Sequence, residues 1–400
     1  MYMYGLLDLS LGGYILATFI LTQITIAAVT LYLHRCQAHK AVELHPVISH
    51  FFRFWLWLTT GQNTKAWAAI HRKHHARCET EEDPHSPQVL GLGKVMREGA
   101  ELYQKEAVNE ETLRKYGHGT PDDWIERKLY TPYNYLGIAI MFGLDLLLFG
   151  LPGITIWAIQ MIWIPFWAAG VINGVGHYYG YRNFECPDAA TNISPWGLFI
   201  GGEELHNNHH TFGTSAKFSV KWYEVDIGWG YLKLLSWLKL AKINRVAPKL
   251  VRQEERQQVD MATLTAIVNN RYQVLAQYSR EVVKPIWKAE RAKAEAAMAD
   301  LLKRARRGLF RDERLLKGAD KERLQKALAE NEMLRKVQHF REQLQQLWQN
   351  ASLSREELVA ALRKWCEEAE ATGIRVLQDF ARSLRAVVPQ SLPQSAPAMA

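Results

Sequence analysis

The chain has 400 residues and a mass of 46.0 kDa, with 48% hydrophobic and 22% charged residues and a formal net charge of +8. That length exceeds one ordinary domain, and the composition excludes disorder as its main theme. Four cysteines without a Cys-x-x-Cys pair exclude a disulfide scaffold and a cysteine-type zinc finger, and the small basic excess suits an anionic membrane surface or an acidic partner, not nucleic acid.

In chain order, residues 11–33 come first and carry no charge. At about 1.5 Å per residue they reach roughly 34 Å, enough to span a bilayer core. No Lys or Arg precedes Arg35, so the segment is not a signal peptide, and the basic residues after it put the N-terminus outside and residue 34 onward in the cytoplasm. Residues 47–69 are interrupted by His50, Arg53, Gln62, Asn63 and Lys65. They are predicted to form an interfacial or shallow re-entrant helix, anchored by Trp55 and Trp57. Residues 134–150 and 152–175 form a hairpin of two spans around Gly150 and Pro152, returning to the cytoplasm. Asp145, within its first half, is a functional candidate as an intramembrane carboxylate, but is expected rather to be paired or to reach outward near the far interface. The fold class is all-α: a membrane-embedded helical bundle of three spans, with four as the alternative, a histidine-rich cytoplasmic cap and a C-terminal helical region. Residues 1–245 make the membrane domain.

Eight of the 14 histidines fall in three groups: His34 and His39; His71, His74 and His75; and His206, His209 and His210. Helix positions i, i+3 and i+4 share a face, so each His-x-x-His-His trio is expected to point at one volume. His34 and His39 are about 140° apart on an ideal helix and should straddle a helix end. Eight imidazoles are too many for one tetrahedral zinc and suit two first-row metals with open positions. Asn173 and His177, an i, i+4 pair at the end of the last span, add a ninth imidazole and a neutral amide that would act through a bound water. His85 lies close enough to support the ligands.

Residues 246–385 read as a basic amphipathic helical region packed on itself, with helix breaks at Gly308, Gly318 and Gly373 and a helix start at Ser354. Residues 386–400 read as a disordered tail.

The segments HRCQAH, AIHRKHHARCETEEDPHSP, NGVGHYYGYRNFE and GGEELHNNHHTF resemble the integral-membrane acyl desaturases of the stearoyl-CoA desaturase type, over roughly residues 10–245. They look most like bacterial Δ9 acyl desaturases. The resemblance implies two iron ions held by His34, His39, His71, His74, His75, His177, His206, His209 and His210, with Asn173 linked through water. It implies O2 as co-substrate and a cis double bond placed in the fatty acyl chain of a phospholipid or acyl-CoA. It also implies the bacterial cytoplasmic (inner) membrane, with its lipids around the spans and the active site on the cytoplasmic face. The chain has no His-Pro-Gly-Gly haem motif and no Gly-rich nucleotide fingerprint, so a separate electron donor, ferredoxin-like or a cytochrome with its reductase, is expected. A membrane di-iron hydroxylase and a zinc-binding or metal-transport protein are the rival readings. Counting back from His34 in α-helical steps places Ala27 and Gln23 on the wall of the acyl tunnel, or Ile24 and Ala28 if the helix is rotated.

Overall fold

The uncharged stretch after Ser10 becomes the first long helix. Ser10 Oγ accepts the Gly13 N–H at 3.2 Å and caps α1 (Leu11–Ala27). The helix then runs on as a π-helix over Ala28–Ala38, where each hydrogen bond closes over five residues instead of four. The combined helix has 28 residues, long and apolar enough to cross a membrane. The computed structural model describes residues 5–253, 255–349 and 352–390. They divide into two units: residues up to 182 with 188–247, and residues 183–187 with 248 onward.

In the first unit the expected hairpin is present. Helix α2 (Pro46–Thr59) and α3 (Thr64–Arg77) come before it, then α4 (Leu92–Ala107), and the hairpin itself is α5 (Asn134–Phe149) and α6 (Leu151–Ile164). Gly150, between its arms, has φ 64°, which glycine adopts without the usual side-chain clash. Helix α6 continues as a π-helix over Pro165–Ile172, and the stretch Leu151–His177 is the second one long enough to cross a membrane. Helix α5 is apolar but shorter. Apolar side chains stand exposed along all three, among them Ile15, Phe19, Ile140, Leu147, Ile154 and Ile162. Such a belt has no place in water and suits lipid. Asp145 is buried and accepts the Gln160 amide at 2.8 Å across the hairpin, so it is paired as expected.

The N–H groups of Leu6 and Leu7 donate to the carbonyls of Leu147 and Leu148 at 3.0 and 2.7 Å. The start of α1 and the hairpin turn therefore share one end of the bundle. His34 and His177, at the far ends of the two long helices, share the other.

The interfacial segment differs from its expectation. One helix over 47–69 is replaced by α2 and α3. Thr60 Oγ1 bonds back to the Leu56 carbonyl at 2.7 Å, and Asn63 Oδ1 caps the next helix by accepting the Ala66 N–H at 3.0 Å. The tryptophans turn inward: Trp55 donates to Thr25 Oγ1 and Trp57 to the Tyr133 carbonyl, both at 2.9 Å. Val47, Phe51 and Phe54 are the exposed apolar residues of α2.

The second unit is a helical bundle with its own core, including Leu302, Leu344, Leu362, Trp365 and Leu377. Ser354 caps the helix Arg355–Ala371 through a reciprocal capping box with Glu357, as its sequence predicts. Gly318 opens the helix Gly318–Glu330, and Gly373, at φ 72°, lies between the last two helices. Gly308 does not break a helix; it lies inside Ala296–Phe310, where a Cβ would stand 2.9 Å from that of Leu324. Val387–Val388, placed with the tail by composition, pair antiparallel with Val251–Arg252. Residues 391–400 of that tail lie outside the described residues.

Candidate metal centre

The π-turn sets the first two histidines. The His39 N–H donates to the His34 carbonyl at 3.1 Å, one π hydrogen bond along the helix. A wider turn brings residues five apart back to the same side. Instead of straddling the helix end, the two rings lie with centroids 5.0 Å apart.

All nine histidines converge, in two groups. Donor atoms of His34, His39, His71, His75 and His209 lie within 4.8 Å of one another. Their Nε2 atoms meet directly: His39 and His71 at 2.8 Å, His75 and His209 at 2.9 Å, His34 and His209 at 3.0 Å. The second group holds His74, His177 and His210, with Cys78 Sγ in range. His206 joins it through a 2.9 Å contact between its Nε2 and that of His177, and His74 Nε2 is 3.2 Å from the same atom. The expectation that each trio serves one volume is therefore corrected. On α3, His71 and His75 serve the first group and His74 the second. On α7 (His206–Thr211), His206 and His210 serve the second and His209 the first. Positions i and i+4 are about 40° apart on a helix while i+3 falls about 60° to the other side, so one trio can supply two neighbouring sites.

Carboxylates orient the rings. Nδ1–H groups donate from His34 to Glu203 at 2.7 Å, from His74 to Asp83 at 2.9 Å, from His177 to Glu79 at 3.0 Å and from His210 to Asp188 at 3.2 Å. A proton on Nδ1 leaves the Nε2 lone pair facing inward. Two imidazole nitrogens at such distances repel unless a proton or a cation lies between them, and His210 Nε2 is buried with no hydrogen-bond partner. The donor set therefore fits two nitrogen-ligated first-row metals. Burial, then the neighbouring imidazoles, holds His39, His71, His75, His206, His209 and His210 well below the ordinary histidine pKa. Burial also opposes charge on His74, but Asp83 beside it outweighs that and holds it above the ordinary value.

The groups border a cavity of about 860 Å³. His34, His71, His206 and Asn173 line it, as do the apolar Ile26, Val29, Ile164 and Ala168; its lining also holds the cations Lys65 and Arg127 and the carboxylates Asp122 and Glu126. Ala27 and Gln23 are not among its lining residues. From His34 the cavity side passes through Thr30 and Val29, then Ile26. His85 lines the cavity and stacks on His74 with centroids 4.4 Å apart; burial lowers its pKa to about 3.

Sequence reasoning missed the supports. Glu203 and Glu79 stand beside histidine groups, yet nothing in their spacing marks them as partners. Arg35 is fully buried beneath His34, bonded to Asp226 at 2.9 Å and to the Ala216 and Gly201 carbonyls at 3.0 Å each. Only its place next to a histidine could have drawn notice.

The fatty acid desaturase family model matches residues 10–233, more than half of the chain. The chain is 30% identical over 226 residues to an sn-1 stearoyl-lipid 9-desaturase of Synechocystis, covering 55% of this chain and 68% of that protein. It is 27% identical over 224 residues to one of the same description from Anabaena variabilis, covering 55% and 79%. It is 27% identical over 241 residues to a Delta-9 desaturase-like 4 protein of Arabidopsis thaliana, covering 59% and 77%. A transposase family model matches residues 257–390, within the second unit.

Proposed function

The chain belongs to the fatty acid desaturase family, and from that premise we propose that it places a cis double bond at Δ9 in a saturated acyl chain, with O2 as co-substrate and two irons at the nine histidines. The observation that carries this reading is the coincidence of two imidazole groups, lone pairs inward, with one wall of an apolar cavity.

Two irons bound there would supply, with dioxygen, the oxidant that an unactivated methylene pair requires. The chain's own residues do the rest. Ile26, Val29, Ile164 and Ala168 offer the acyl chain an apolar wall and keep water from it. His34, His71 and His206 face both the cavity and the metal groups, so a chain lying along that wall passes the site. Glu203, Asp83, Glu79 and Asp188 fix ring tautomer and angle. One O2, two electrons and two protons enter; an alkene and two waters leave.

Lys65 and Arg127 suit an acyl group carried by a phosphate-bearing head, a phospholipid or CoA. The electrons come from a separate ferredoxin-like or cytochrome donor. The spans lie in the bacterial cytoplasmic membrane with the histidine end on the cytoplasmic face, since the basic residues begin at Arg35. Asn173, which lines the cavity beside His206, would hold a water at the metal site.

Expression in a host without desaturases, followed by mass spectrometry of its lipids, tests the reading. New cis-monounsaturated chains that vanish in His209→Ala are expected. Hydroxylated chains would make it a hydroxylase, and unchanged lipids with exchangeable zinc would make it a metal carrier.

A further inference from the structure

The nine histidines divide into five and four, and their supports divide the other way. Among the described residues, the four-histidine group is backed by three carboxylates: Asp83 on His74 at 2.9 Å, Glu79 on His177 at 3.0 Å and Asp188 on His210 at 3.2 Å. The five-histidine group is backed by one, Glu203 on His34 at 2.7 Å. The three supports form one structure. Glu79 also accepts the Ser86 hydroxyl at 2.9 Å and the Ala189 N–H at 3.2 Å, and Asp83 accepts the Glu79 N–H at 3.0 Å. Glu79 itself has φ 64°, in the left-handed region that a non-glycine residue seldom adopts. Strain of this kind persists where the surroundings over-determine it, and here its product is a carboxylate aimed at His177.

A carboxylate on Nδ1 makes the imidazole a stronger donor at Nε2 and adds a negative charge near the cation. We propose that the two metal sites are unequal, with the four-histidine site (His74, His177, His206, His210) filling first and releasing last, and with Asp83, Glu79 and Asp188 as the positioning residues that make it so. The fifth imidazole of the other site does not offset three anions, because an added neutral ligand brings no net charge. The five-histidine site is then the labile half.

The inference rests on the two-iron reading, and the experiment separates the two. The full-length protein in detergent is loaded with ferrous iron, counted by elemental analysis, and challenged with an excess of a ferrous chelator. Release in two phases of one iron each is expected, with rates about tenfold or more apart. Glu203→Gln should quicken only the fast phase, and Glu79→Gln or Asp83→Asn only the slow one. His39→Ala should retain the slow iron alone, and His177→Ala the fast iron alone. Wild-type protein given one equivalent of iron-57 should show a single Mössbauer doublet, and a second should appear at two equivalents; this arm needs no variant to fold. Fewer than two irons at saturation would refute the two-iron reading itself. Two irons leaving in one phase, or Glu79→Gln quickening the same phase as Glu203→Gln, would overturn the inequality while leaving that reading intact.

Discussion

Arg35 and Asp226 show what single residues must supply for the histidines to converge. Both side chains are 0% exposed, and Asp226 also accepts the N–H groups of Phe218 and Trp229. Removing one partner strands a buried charge, so Asp226→Ala is expected to cost about 3–5 kcal/mol. Thermal unfolding of the metal-free protein checks this; an unchanged melting temperature would mean the pair is not holding the helix under His34. The imidazoles give a second prediction. Six are held by burial well below their ordinary pKa, so the folded state keeps them neutral where the unfolded chain protonates them, below about pH 6.5. The unfolded state then binds more protons, and stability, full above that pH, is lost as the pH falls. Melting of the metal-free protein should drop steadily between about pH 7.5 and pH 5.5, and a flat profile contradicts it. At this scale the donors were legible, because histidines in such density have few other uses. Their supports were not: an Asp or Glu beside a histidine group looks the same in sequence whether it faces a ring or water.

The elements were legible where composition alone decides them. A helix must form over 11–33, since apolar backbone in lipid has no other way to satisfy its N–H and C=O groups. The hairpin at Gly150 follows from the glycine and proline between two apolar runs. The π-turn over Ala28–Ala38 left no trace, because one extra residue per turn changes no residue type. On this helix the cavity is lined by Thr30, Val29 and Ile26, and not by Ala27. Val29→Phe is therefore expected to shift the products toward shorter acyl chains with iron content unchanged, whereas Ala27→Phe leaves the chain-length profile as it was. Product profiles from the two variants decide it: the opposite pattern would restore the α-helical count. The split of the interfacial segment into α2 and α3 has a visible cause in retrospect, since Asn63 is a strong capping residue.

At the scale of the molecule, charge separates the units. Residues 248–400 contain 28 Lys and Arg against 20 Asp and Glu, so the chain's net +8 belongs to that segment and the membrane segment is balanced. The second unit closes its own core, and its ends are tied by the pairing of Val251–Arg252 with Val387–Val388. Residues 248–390 are expected to fold alone as a soluble helical domain with a cooperative thermal transition by far-UV circular dichroism; a non-cooperative melt would show that they depend on the membrane unit. Their helices were legible from leucine spacing and the Ser354 cap, but composition could not reveal the strand that draws residues 387–388 back from the tail. If nine imidazoles form one two-metal centre, the metal content of the purified full-length protein must show it. Two irons per chain are predicted, falling to one in His71→Ala, whose ring serves only the five-histidine group. One iron or none in the wild-type protein, or two retained in His71→Ala, would contradict it.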